Sequence, residues 1–116
     1  MNEPQITYRG LDHSTALDTR IAEHCRKLEV SHQKITRCHV VIDELDRHKS
    51  QGNVFEVRVD VHVPGHEMVA HGQHEDPYAA VNLAFEQMQR QLDETLRIQR
   101  GKVKRHGESP GNEAQP

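Results

Sequence analysis

From Phe55 to Val63 the chain reads Phe-Glu-Val-Arg-Val-Asp-Val-His-Val, an apolar side chain at every odd position and a polar one at every even position. A period of two fits an extended strand with one face buried and the other in water. A sheet built on such a strand needs a cover on its apolar side alone, and amphipathic helices are the simplest cover.

The sequence supplies two such helices. Leu17, Ile21, Cys25 and Leu28 recur at helical spacing and predict a helix over about Ser14 to Val30. Ser14 or Thr15 caps it, and Thr15 with Asp18 resembles a capping box. Asp76 and Pro77 open the second helix, because a carboxylate accepts free N–H groups of the first turn and proline at the first helical position needs no donor. Val81, Ala84, Phe85, Met88, Leu92 and Leu96 form its buried stripe, and Gly101 is expected to stop it near Arg100. Strands are predicted at Gln5 to Arg9, Thr36 to about Leu45, Asn53 to Val63 and His66 to Gly72, with a polar loop from Asp46 to Gly52. Pro64-Gly65 suits the centre of a type II turn between the last two strands. The order is βαβββα, an α+β two-layer sandwich with a four-stranded mixed sheet and two helices on one face. The helical crossover makes the first two strands parallel if they are adjacent.

With 116 residues, there is material for one core. Residues 1–106 form the expected domain, and the segment 107–116, rich in Gly, Ser, Pro, Asn, Gln and Glu, is expected to be disordered. The N-terminus lacks the basic start and apolar stretch of a secretion signal, and no apolar run is long enough to cross a membrane, so a cytoplasmic protein without a membrane partner is expected. Cys25 and Cys38 have no CxxC spacing and read as buried, reduced thiols. The net charge of -3 argues against a generic nucleic-acid binder. Its distribution points the other way, since acidic residues are scattered while the segment from Arg97 to Arg105 carries positive charge alone. Such an end can find phosphate, or it can simply complement the helix dipole.

Chemistry-bearing patterns are sparse. Ten histidines include His39, His62 and His71, which could gather beside Asp60 on the wet sheet face as metal ligands. No two of the ten are spaced i, i+4 on a predicted helix, so solvated imidazoles are the expectation, with no metal and no cofactor. There is no GxGxxG or GxxxxGK[ST] loop, and no serine has the flanking glycines of a nucleophile elbow. An enzyme with a small-molecule substrate is therefore not expected. Aromatic residues make up 3% of the chain, and Tyr8, Phe55 and Phe85 read as core, leaving no platform for stacking unpaired bases. RNA recognition would work through shape and phosphate, with basic helix edges as the contacting elements.

Lys27-Leu28-Glu29, His74-Glu75-Asp76-Pro77-Tyr78-Ala79-Ala80 and Arg90-Gln91-Leu92, in this order on the predicted elements, resemble the ribosome hibernation-promoting factor family in its short form, also known as ribosome-associated inhibitors or ribosomal subunit interface proteins. The resemblance covers about residues 5 to 106. Gln51-Gly52-Asn53 and Arg100-Gly101-Lys102-Val103-Lys104 are similar to a branch that sometimes carries an added cold-shock domain, which this sequence does not hold. The resemblance implies a fold similar to double-stranded RNA-binding domains. It also implies binding to the small ribosomal subunit and its rRNA in the channel used by mRNA and tRNA, blocking initiation in stationary phase or stress. The RNA-binding positions that best match it are Lys27, Arg90 and the cationic exit of the second helix, Arg97, Arg100, Lys102, Lys104 and Arg105, and Arg20 and Arg26, which lie off the buried stripe of the first helix, are expected to join them. This chain lacks the dimerisation domain of the family's long form, so ribosome dimers would call for a further hibernation factor. Two other readings stay open: a regulator of the same fold that binds another structured RNA or a protein partner, and a metal-dependent enzyme using the sheet-face histidines.

Overall fold

The computed structural model describes residues 3–46 and 52–106, and the side chains within them except those of 46, 96 and 98–106. Its elements run β1 (Gln5–Arg9), α1 (Thr15–Ser31), β2 (Arg37–Asp46), β3 (Asn53–Val63), β4 (His66–His74) and α2 (Pro77–His106). The sheet order is β1-β2-β3-β4. β1 runs parallel to β2, and the other neighbours are antiparallel. Gly65 takes a φ of +85° in the β3–β4 turn, a value open to glycine and strained for other residues. This is the predicted βαβββα sandwich.

Register explains why one side of the sheet is apolar. Val40, Val59 and Ala70 lie in one row across β2, β3 and β4 and are all fully buried. The rows on either side, Cys38–Val61–Met68 and Ile42–Val57–Gly72, continue the same face. Leu17, Ile21, Cys25 and Leu28 of α1, with Val81, Ala84, Phe85, Met88 and Leu92 of α2, close over it. Each large aliphatic side chain buried this way contributes roughly 1.5–3 kcal/mol before ordering costs are subtracted. Tyr8 and Phe55 pack at the rim and are only partly buried, whereas Phe85 is in the core. Gly72 lets α2 approach: a Cβ there would lie 2.5 Å from the Ala80 carbonyl oxygen and 2.6 Å from the Ala84 nitrogen.

Three local expectations are corrected. Gly101 does not stop α2, which continues to His106. A single glycine costs about 1 kcal/mol relative to alanine inside a helix, and the Arg and Lys residues around it are good helix formers. Ser14 is the cap of α1, its Oγ accepting the Leu17 N–H at 3.1 Å. Asp18 does not complete a capping box, because its carboxylate instead accepts the Tyr8 hydroxyl at 2.7 Å and binds His13. β4 runs two residues beyond Gly72, to His74, whose Nδ1 then accepts the Asp76 N–H at 2.9 Å. The loop core at 47–51, the Leu96 side chain and the tail at 107–116 lie outside the described residues.

Candidate nucleic-acid interface

The two helices lie side by side on the sheet, and polar contacts set the seam between them. His24 Nε2–H donates to Asn82 Oδ1 at 2.8 Å, and the His24 ring stacks on Phe85 with centroids 4.9 Å apart. The Arg20 guanidinium sits 5.2 Å above the centre of the Tyr78 ring, a cation–π contact across the helices. At the other end, the Gln89 amide bridges His32 Nε2 and the Asp93 carboxylate, each at 3.0 Å. His32 Nε2 also lies 3.0 Å from Asp93, while its Nδ1 is buried with no partner among the described residues.

A groove of about 370 Å³ follows this seam, lined by Arg20, Glu23, His24, Lys27, Asn82 and Glu86. Its charged groups are two cations and two carboxylates, so it is polar without being strongly positive. Arg20 and Lys27 meet there as two of the predicted contacts. Arg26, roughly 100° round α1 from Lys27, lines the cleft beside β1 and, together with Lys27, a shallow depression that reaches Gln89. Arg90 and Arg97 are exposed on α2. Among the described residues, no ion pair engages Arg20, Arg26, Lys27, Arg90 or Arg97. Arg100, Lys102, Lys104 and Arg105 continue along the α2 backbone, and their side chains lie outside the described residues.

The sheet-face histidines are not brought together. His39 pairs with Thr7 Oγ1 at 3.1 Å, His62 with Thr36 Oγ1 at 3.2 Å, and His71 lies 3.6 Å from the Glu56 carboxylate. Among the described residues no three His, Cys, Asp or Glu side chains form a group able to hold a metal ion. No described helix is long and apolar enough to cross a membrane.

Of the seam residues, Tyr78 enters the sequence reading only as part of the stretch from His74 to Ala80, and His24, Asn82 and Gln89 are not singled out by it. One signal was present: His24 follows Ile21 by three positions, which puts it at the margin of the α1 stripe. The three sequence marks resolve into local physics. Within the stretch from His74 to Ala80, Asp76 Oδ1 accepts the Tyr78 N–H at 2.9 Å as the α2 cap, Tyr78 carries Arg20, and Ala80 meets Gly72. In Arg90-Gln91-Leu92 the first side chain is exposed, and the last is in the core. Gln91 Nε2 donates to the Val69 carbonyl at 3.0 Å on the free edge of β4. Lys27-Leu28-Glu29 likewise places Leu28 in the core between an exposed lysine and a half-buried glutamate.

Solved structures share the fold. A ribosomal subunit interface protein from Coxiella burnetii superposes with a TM-score of 0.67 at 23% identity, over 78% of this chain and 93% of that one. The N-terminal domain of Thermus thermophilus Protein Y gives 0.67 at 18% identity, over 82% of this chain and 99% of its own. A ribosome hibernation promoting factor from Azotobacter vinelandii is 31% identical over 107 residues, 90% of this chain and 94% of that protein. Residues 5–100 match the family described as Sigma 54 modulation protein / S30EA ribosomal protein, and with that span matched the chain belongs to this family.

Proposed function

We propose that this protein is a non-enzymatic, cytoplasmic ribosome-associated factor that binds the small subunit in its mRNA and tRNA channel and holds idle ribosomes inactive under stress or in stationary phase. The reading is carried by similarity to a ribosome hibernation promoting factor over 90% of this chain and 94% of the relative. The geometry supports it. Lys27, Arg90 and Arg97 are exposed on the two helices, with no ion pair among the described residues to hold them. They are free to take phosphate, and the counterions released on contact would make affinity fall steeply with salt. Arg20 is held at the seam by Tyr78 and lines the same groove as Lys27. Arg100, Lys102, Lys104 and Arg105 would extend this cationic track along α2.

Sucrose-gradient sedimentation of a stationary-phase lysate tests the reading, with co-migration on small subunits and whole ribosomes expected. Recovery only at the top of the gradient, at low salt as well as high, would overturn it. A second reading is favoured by the mixed charge of the seam groove, with Glu23 and Glu86 opposite Arg20 and Lys27: a regulator of this fold that docks a protein partner or another structured RNA. Absence from ribosomes, together with retention in a discrete smaller complex, would select it.

A further inference from the structure

Cys25 in the middle of α1 and Cys38 near the start of β2 approach to an Sγ–Sγ distance of 3.1 Å as free thiols. They are 2% and 6% exposed, and together they join the helix layer to the sheet layer. Cys25 also lines a cleft of about 590 Å³ between α1 and the N-terminal strand, shared with Ala22, Arg26 and Glu29. The cleft brings solvent up to the Cys25 end of a pair that is otherwise buried. We propose that Cys25 and Cys38 are an internal oxidation site at which hydrogen peroxide closes a disulfide that clamps α1 to β2. This inference is independent of the ribosome reading.

The chemistry balances. The Cys25 thiolate attacks one peroxide oxygen, the O–O bond breaks, and hydroxide leaves and is protonated to water, giving a sulfenic acid. The Cys38 sulfur then attacks the Cys25 sulfur, forming the S–S bond and breaking the S–O bond, and the departing hydroxide takes up the Cys38 proton as a second water. Two electrons pass from the sulfur pair to the peroxide. The hydrogen bond with Cys38 and burial both raise the Cys25 thiol above its ordinary range. Oxidation is therefore slow at neutral pH and accelerates as the thiolate fraction grows. The charged groups around the site are Glu29 on α1 itself, with Glu3, His13, Asp18 and Arg26 along the cleft. In a reducing compartment the pair stays as dithiol, and closure is confined to oxidant load.

The test uses the full chain treated with hydrogen peroxide, then alkylated under denaturing conditions and mapped by mass spectrometry. The expected product is monomeric, with no alkylatable thiol and a Cys25–Cys38 cross-linked peptide pair. It should melt on the order of 10 °C above the reduced protein, because the bridge restrains the unfolded chain, and dithiothreitol should reverse the gain. From about pH 7.5 to about pH 9 the rate should climb roughly tenfold per pH unit. Cys25→Ser and Cys38→Ser should each lose the melting gain under peroxide. Two free thiols after prolonged treatment, a cross-link between chains, or an oxidised protein that melts no higher than the reduced one would overturn the proposal. These readings come from the wild-type chain and do not depend on either variant folding.

Discussion

Replacing Gly72 by alanine should cost more than its single methyl suggests. The added Cβ would meet the Ala80 oxygen at 2.5 Å, the Ala84 nitrogen at 2.6 Å and the Leu83 Cβ at 2.9 Å. Two of these atoms are helix backbone and cannot rotate away, so the first turns of α2 must retreat by something near 1 Å to restore contacts of about 3.5 Å. A gap of that size forfeits a quarter to a half of the dispersion contact between Val81, Ala84 and Phe85 and the sheet. Overpacking of this kind costs about 1–3 kcal/mol, and the rigid neighbours put this case at the upper end. Alanine stiffens the unfolded chain, which offsets roughly 0.4–1 kcal/mol. The net expectation is about 2 kcal/mol, or roughly 8–16 °C of melting temperature for a domain near 100 residues. Gly65→Ala is the control: nothing lies within 4 Å of its Cβ, so its cost comes only from the φ of +85°. Urea unfolding gives both free energies. A Gly72→Ala protein within about 0.5 kcal/mol of wild type would refute the close-approach reasoning, since ordinary surface changes fall in that range.

Tyr8 is pushed up from 10.0 to about 12 by burial and by its hydrogen bond to Asp18. The unfolded tyrosine ionises first, so this contribution to stability is complete below about pH 10 and is lost as pH rises toward about 12. With two tyrosines in the chain, the Tyr78→Phe variant isolates Tyr8 for ultraviolet titration, and a midpoint near 10.0 would contradict the assignment. Gln87 Oε1 accepts the His71 N–H at 2.9 Å, as Gln91 donates to Val69, so both side chains cover the β4 edge. The Gln87→Leu/Gln91→Leu pair should lose roughly 1–2 kcal/mol and self-associate through the exposed edge, and a stable monomer by light scattering would remove that role.

Sequence pattern carried the fold because the main packing decisions here are periodic. Alternation in β3 placed Val57, Val59 and Val61 inward, and the Asp76-Pro77 start placed the α2 cap at the right residue. Where two local preferences compete, pattern alone could not choose: Gly101 reads as a stop, yet its cost is smaller than the gain from continuing a helix through Arg and Lys. The candidate site was legible as residue types and less so as geometry. Lys27 lines the seam groove with Arg20 while its neighbour Arg26 also lines the cleft beside β1, and Arg20 meets Tyr78 across 58 positions of chain, a contact that local periodicity cannot reveal. The approach of Cys25 to Cys38 likewise depends on how α1 settles on β2, which neither element encodes by itself.

The central claim, that exposed cations on the two helices hold ribosomal RNA phosphates, is tested most directly by small-subunit affinity across a salt series for Lys27→Glu/Arg90→Glu/Arg97→Glu beside wild type. All three side chains are exposed, so circular dichroism should show the fold intact. The account predicts much weaker binding and a salt dependence flatter by roughly two to three units in log affinity against log salt, about 0.7–0.9 for each lost contact. Wild-type affinity with an unchanged slope in the folded variant would contradict it.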